Sequence, residues 1–460
     1  MDNAVKRGIV FFIVATVIAY LIGLYTNLTL YEGSSVALLI FSLVSFLDNL
    51  GKKVVVLDIA IILASFTWLV MPVIFYHNYT EADFMARIFY KYMPISSDDY
   101  FSYALPGTIA MAIGLKIRLA KLQINEDQRT YKESLERYFA GHEKIRIGFI
   151  LIGVSLSSVV LRYILPASVG RVVYLLEHLS MVGVFYIFFS DHKRKNAILV
   201  AVLGLILANS IQTGLFGELV YSMALFYILV ALYMKQISFF RKLVVCIIGI
   251  FGIFMLQSVK GAYRELAWKE GASASYFTEL IGERLAEPSL LFQKDKLFNV
   301  AVRMNQGWLV AVTMDRVPRR FDYAEGETIA KSIAAAFIPR ILWPDKPEAG
   351  GKYNLKRFWG FELRGYSMNI GSIGEAYANF GRTGGIIFLF FYGLFFNFVL
   401  TMLLKWSEKR PSVLCWIPFL FFYAVVVETD TLTTFSSLVT GVIFMLIFIR
   451  LFKAVTGYQL

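Results

Sequence analysis

The chain has 460 residues, of which 58% are hydrophobic, 16% aromatic and only 17% charged, with mean hydropathy +0.62. Its apolar residues come in blocks that are apolar on every face, which excludes a string of soluble domains and points to an all-α, polytopic membrane protein. The net charge of +12 is spread over loops without a soluble basic domain, so nucleic acid is not an expected partner, and anchoring at the cytoplasmic membrane face explains much of it.

A membrane span needs about 20 predominantly apolar residues. By that measure about twelve helices are predicted, near 8–25, 33–50, 54–76, 101–120, 146–165, 171–190, 197–213, 215–234, 243–258, 383–404, 412–428 and 434–452. The N-terminal run has a basic start but no small-x-small cleavage site close behind it, so it reads as an uncleaved first helix. Lys and Arg alternate between the two sides. One side holds Lys6, Arg7, Lys52, Lys53, the basic-rich 116–146 loop, Lys193, Arg194, Lys195, Lys235, Arg241, Lys242, Lys405, Lys409, Arg410, Arg450 and Lys453, whereas the short opposite loops hold only Arg87, Lys91, Arg162 and Arg171. That alternation places both termini in the cytoplasm. The mixed-charge loop 121–145 is expected to form a cytoplasmic amphipathic helix that serves as a solvated connector.

Three regions follow: 1–258 with the first nine spans, 259–382 as one large helical external (periplasmic) loop, and 383–460 with the last three spans. The loop is long and still rich in cations, which long loops tolerate when they cross a membrane. Lys260 and Arg264 share a helical face at its start, where the plain expectation is that both snorkel to the interface beside Tyr263 and Trp268 as belt aromatics. Arg303, Asn305 and Gln306 interrupt an apolar helical face, and Arg316, Arg319 and Arg320 cluster where that helix ends. Pro339, Pro344 and Pro347 then hold Arg340, Asp345 and Lys346 in a restricted backbone, and Arg364 completes the run of cations. The planar fork of arginine fits phosphate oxygens and stays charged when partly buried, so the set suits a lipid-linked phosphate or diphosphate. The competing expectation is pairing with the acids of the same loop or with anionic headgroups.

The segment NIGSIGEAYANFGRTGG, wound as one helix, sets Gly371, Gly374, Ala378, Gly381 and Gly385 on a bare stripe. Ser372, Glu375, Asn379 and Arg382 lie beside it on a polar one. A bare stripe admits a close neighbour, and a partly desolvated Glu375 is the candidate general base; a purely structural pairing with Arg382 or a loop arginine is the alternative. Glu177, His178, Glu218, Glu428 and Asp430 are further ionisable groups at membrane depth, which are functional candidates wherever they occur. Cys246 and Cys415 lie inside apolar runs and the four histidines are scattered, so neither a disulfide framework nor a metal site is expected. There is no Gly-rich phosphate loop and hence no sign of a nucleotide cofactor.

IPRILWPDKP followed by GSIGEAYANFGRTGG, in a long external loop before the last three spans, resembles the Wzy-type O-antigen and oligosaccharide repeat-unit polymerases. Gly374 to Gly384 matches that family's G-E-x-Y-x-x-F-G-x-x-G segment position by position, and the likeness covers about a tenth of the chain. The resemblance implies a GT-C-like membrane glycosyltransferase, independent of metal, in a bacterial inner membrane. A polyprenyl-diphosphate-linked glycan would pass to a hydroxyl of the next lipid-linked repeat unit, alongside a flippase and a chain-length regulator of the same pathway. It implies Glu375 as catalytic residue, with Arg264, Arg303, Arg316, Arg319, Arg340, Lys346, Arg364, Arg382, Tyr377 and Asn379 as substrate-binding residues. Two alternatives stay open: an O-antigen ligase, which differs in acceptor, and a transporter or flippase of lipid-linked sugars, for which internal repeats would be expected.

Overall fold

The computed structural model describes residues 17, 21, 27–78, 92–117, 119, 128–140, 143–166, 169–214, 216–234, 237–270, 274–287, 289, 294–338, 342–364 and 367–460. Every regular element among them is a helix. In chain order these are α1 (Leu30–Asn49), α2 (Val56–Asn78, π-helical over Ser65–Val70), α3 (Ser97–Lys116), α4 (Gln128–Phe139), α5 (Glu143–Leu161) and α6 (Gly170–Phe189). Next come α7 (Lys195–Thr213), α8 (Phe216–Tyr233), α9 (Phe239–Glu270), α10 (Ala274–Ala286), α11 (Lys294–Met304) and α12 (Gly307–Arg316). The chain ends with α13 (Glu327–Phe337), α14 (Lys352–Trp359), α15 (Gly371–Lys409), α16 (Val413–Val425) and α17 (Thr431–Thr456).

Nine helices among the described residues are long and apolar enough to cross a membrane, which makes this a polytopic membrane protein in build. Each stands at a predicted span. Two more predicted spans exist as helices: α3 is less apolar, with Asp98 and Asp99 in its first turn, and α16 has only 13 residues. The predicted span 8–25 falls largely outside the described residues. The expected helix in the 121–145 loop is α4, but it is docked rather than solvated: Tyr131, Leu135 and Phe139 are buried, with Phe139 against Tyr186 and Phe189.

Polar contacts fix how the first helices stand. At one end the buried Glu32 joins three of them, accepting from Ser97 at 2.6 Å and lying 3.0 Å from His77. At the other end Lys116 meets the buried Asp58 at 2.5 Å. Helices α3 and α15 then pack backbone against backbone: a Cβ on Gly114 would collide with Phe390 O, and one on Gly393 with Met111 O. Small residues permit that approach, and Asn397 secures it by donating to Ile117 O at 2.7 Å.

The most consequential feature is a break in α15 at Gly381, whose φ of 67° and ψ of −162° are open essentially to glycine alone. Residues 371–380 fold back along the rest of the helix. Ile373 and Leu389 both reach the position a Cβ on Gly107 would take, although a straight helix would separate them by about 24 Å. The short arm is held from both sides. Tyr103 donates its hydroxyl to Ile373 O at 2.7 Å, and the N–H groups of Ala324 and Glu325 donate to Ala378 O and Asn379 O at 3.0 Å each. Those carbonyls end a helical arm and would otherwise lack donors.

Candidate functional site

Folding the arm back buries its polar residues completely. Glu375 has 0% exposure, its Oε2 accepts the N–H of Thr431 at 3.0 Å, and Thr328 lies 3.5 Å from Oε1. Asn379 donates to Thr328 Oγ1 at 2.7 Å and to Glu375 O at 2.8 Å. Asp430 is the N-cap of α17: its Oδ1 accepts from Thr433 N at 2.7 Å while Oδ2 accepts from Gly351 N at 2.8 Å. Two carboxylates thus meet the positive end of α17, where free N–H groups and the helix dipole favour negative charge. This node binds the arm, α13, the turn before α14 and α17 together.

The expected polar stripe therefore does not run as drawn from sequence. Ser372, Glu375 and Asn379 share the buried arm, but Arg382 lies past the break and donates to Asp99 O at 3.0 Å, Asp99 Oδ1 at 3.1 Å and the Ser102 hydroxyl. It is not the partner of Glu375. The bare stripe ends at the same point, and Glu375 is sealed rather than partly desolvated.

The expected cations separate into one group and several residues engaged elsewhere. Arg264, near the C-terminal end of α9, donates from Nε to Gly214 O at 2.8 Å and is within electrostatic reach of Arg303 at the end of α11. Lys260, one turn before Arg264 and only 8% exposed, feels both arginines and Glu428. Glu428, which also borders Tyr221 of α8, lies in the link between α16 and α17. Elsewhere, Arg316 donates to Trp359 O at 2.8 Å with its guanidinium over that indole, and burial followed by the nearby Arg320 pulls its pKa down. Arg319 pairs with Asp315 at 2.7 Å, Arg364 is exposed beside Glu362, and Lys346 donates to Ile338 O at 3.0 Å. Tyr377 is wedged between the rings of Tyr103 and Tyr323. Arg340 lies outside the described residues.

The two groups are neighbours through the link 426–430. Its Val427 O lies 3.3 Å from where Gly371 would carry a Cβ, Asp430 belongs to the buried node, and Glu428 belongs to the cations. Sequence reasoning did not include Lys260, Thr328, Gly351 or Thr431 in the site. The four-residue spacing of Lys260 and Arg264 was a usable signal, while the other three are recruited from separate segments and leave no local mark. Among the described residues no group of three or more His, Cys, Asp or Glu is placed to hold a metal ion.

A family described as "Domain of unknown function (DUF8712)" matches residues 101–402. The chain belongs to that family. The DUF8712 match takes in Lys260, Arg264, Arg303 and Glu375, and it ends before Glu428 and Asp430. No curated protein and no solved structure matches the chain.

Proposed function

We propose that the protein is a membrane glycosyltransferase that joins polyprenyl-diphosphate-linked oligosaccharide repeat units into a surface polysaccharide or O-antigen. The observation that carries this reading is the group Lys260, Arg264 and Arg303 gathered toward the C-terminal end of the long apolar helix α9. Cations at the end of such a helix match a substrate whose lipid lies in the bilayer and whose diphosphate lies at its surface. The alternation of Lys and Arg in the loops supports a reading in which that end of α9 faces outward from a bacterial inner membrane, with both termini in the cytoplasm. The leaving group is itself a diphosphate, so transfer calls for cations that absorb its developing charge, and no nucleotide is required. The G-E-x-Y-x-x-F-G-x-x-G segment supports the same reaction class; a ligase would differ only in its acceptor.

The break in α15 gives a second reading some footing, because broken helices with buried carboxylates also occur in transporters. One experiment separates the readings. Purified full-length protein is incubated with a polyprenyl-diphosphate-linked repeat unit in vesicles. Lipid-linked oligomers are expected; movement of the unit across the membrane without oligomers would reject the polymerase in favour of a transporter.

A further inference from the structure

We propose that Glu428, and not Glu375, is the catalytic carboxylate that takes the proton of the acceptor hydroxyl; this rests on the glycosyl-transfer reading above. Three observations converge on it.

The first is access. Glu375 is fully enclosed and its Oε2 is committed to the N–H of Thr431, whereas Glu428 keeps part of its surface open. A base must come within hydrogen-bond reach of the proton it removes.

The second is the arrangement of charge. Glu428, Lys260 and Arg303 lie within electrostatic reach of one another, yet among the described residues none has an ion-pair contact within 4.0 Å. Opposite charges placed only to stabilise a fold close into contact, because a partly buried charge without a bonded partner is costly. Not closed on one another, they remain able to engage a group that is anionic toward Lys260 and Arg303 and offers a hydroxyl toward Glu428.

The third is support. Glu428 sits on a short non-helical link whose flanks are fixed, by Val427 O against Gly371 on one side and by the capping contacts of Asp430 on the other. Such a frame holds a reacting side chain in position without using that side chain for structure.

The step balances. The acceptor oxygen forms a bond to the anomeric carbon of the donor sugar as the bond from that carbon to the diphosphate oxygen breaks. The hydroxyl proton passes to Glu428, and the electron pair leaves on the diphosphate, whose charge meets Lys260 and Arg303. The outgoing polyprenyl diphosphate or water then reclaims the proton.

The test uses full-length Glu428→Gln and Glu375→Gln in vesicles, with a labelled polyprenyl-diphosphate-linked repeat unit as probe, scored for retained probe and for oligomers. Glu428→Gln should elongate about 100-fold or more slowly while retaining the probe within about threefold of wild type. Elongation at the wild-type rate, or loss of probe retention in step with turnover, would overturn the assignment. Should that variant fail to accumulate, Glu428→Asp decides: slow elongation at normal retention supports the role, and a normal rate rejects it. Wild-type protein that forms no oligomers would instead reject the glycosyl-transfer reading, so the two failures are distinct.

Discussion

The carboxylate of Glu375 accepts the backbone N–H of Thr431 at 3.0 Å across 56 positions of sequence, and this one contact joins the folded-back arm of α15 to the first residue of α17. The same carboxylate stands 3.5 Å from the Thr328 hydroxyl, which itself accepts from Asn379 at 2.7 Å. A buried acceptor serving a helix N-terminus is costly to remove, because the orphaned N–H cannot turn to water.

Glu375→Ala is accordingly expected to destabilise the protein by about 2–4 kcal/mol, and Glu375→Gln by less, since an amide oxygen can still accept from Thr431. Thermal unfolding in detergent checks the order. The Glu375→Gln protein that remains folded should elongate glycan at close to the normal rate. Loss of elongation with unchanged thermal stability would return the base role to Glu375.

Gly381→Ala should cost of order 1–3 kcal/mol, because φ 67° with ψ −162° is a conformation that a side chain strains, even though the nearest atoms of Tyr323 stand 3.5 Å away. Space is not the obstacle there; backbone conformation is. A wild-type melting temperature would show that the break lies elsewhere.

Gly393→Val and Gly114→Val should fail more severely than Gly381→Ala, since each inserts atoms where the backbones of α3 and α15 already touch. The readout is accumulation in the membrane. Equal accumulation of the three variants would contradict the close packing.

Lys260→Met and Arg303→Gln should each weaken retention of the lipid-diphosphate probe about tenfold, the scale of one charge-assisted contact. Arg319→Gln and Arg364→Gln should leave it unchanged, since the first side chain is engaged by Asp315 and the second stands exposed beside Glu362. Equal losses in all four would mean a diffuse field rather than a site.

What the sequence determined by itself is the helical, membrane-spanning build and the order of its spans, because twenty apolar residues in a row are a local property that needs no partner to be read. It also marked Glu375 and Asn379 as special and placed Arg264 with Arg303 among the candidate cations. Only the tertiary structure decided that the helix breaks at Gly381, since glycine suits a helix and a reversal alike, and the choice falls to the contacts made by Tyr103, Ala324 and Glu325 with the arm. It likewise gave Arg382 to Asp99, 283 positions away, and set Glu428 opposite Lys260 and Arg303. Charges find partners by distance in space, and a loop that carries many cations does not reveal in its own sequence which of them the packed helices bring together.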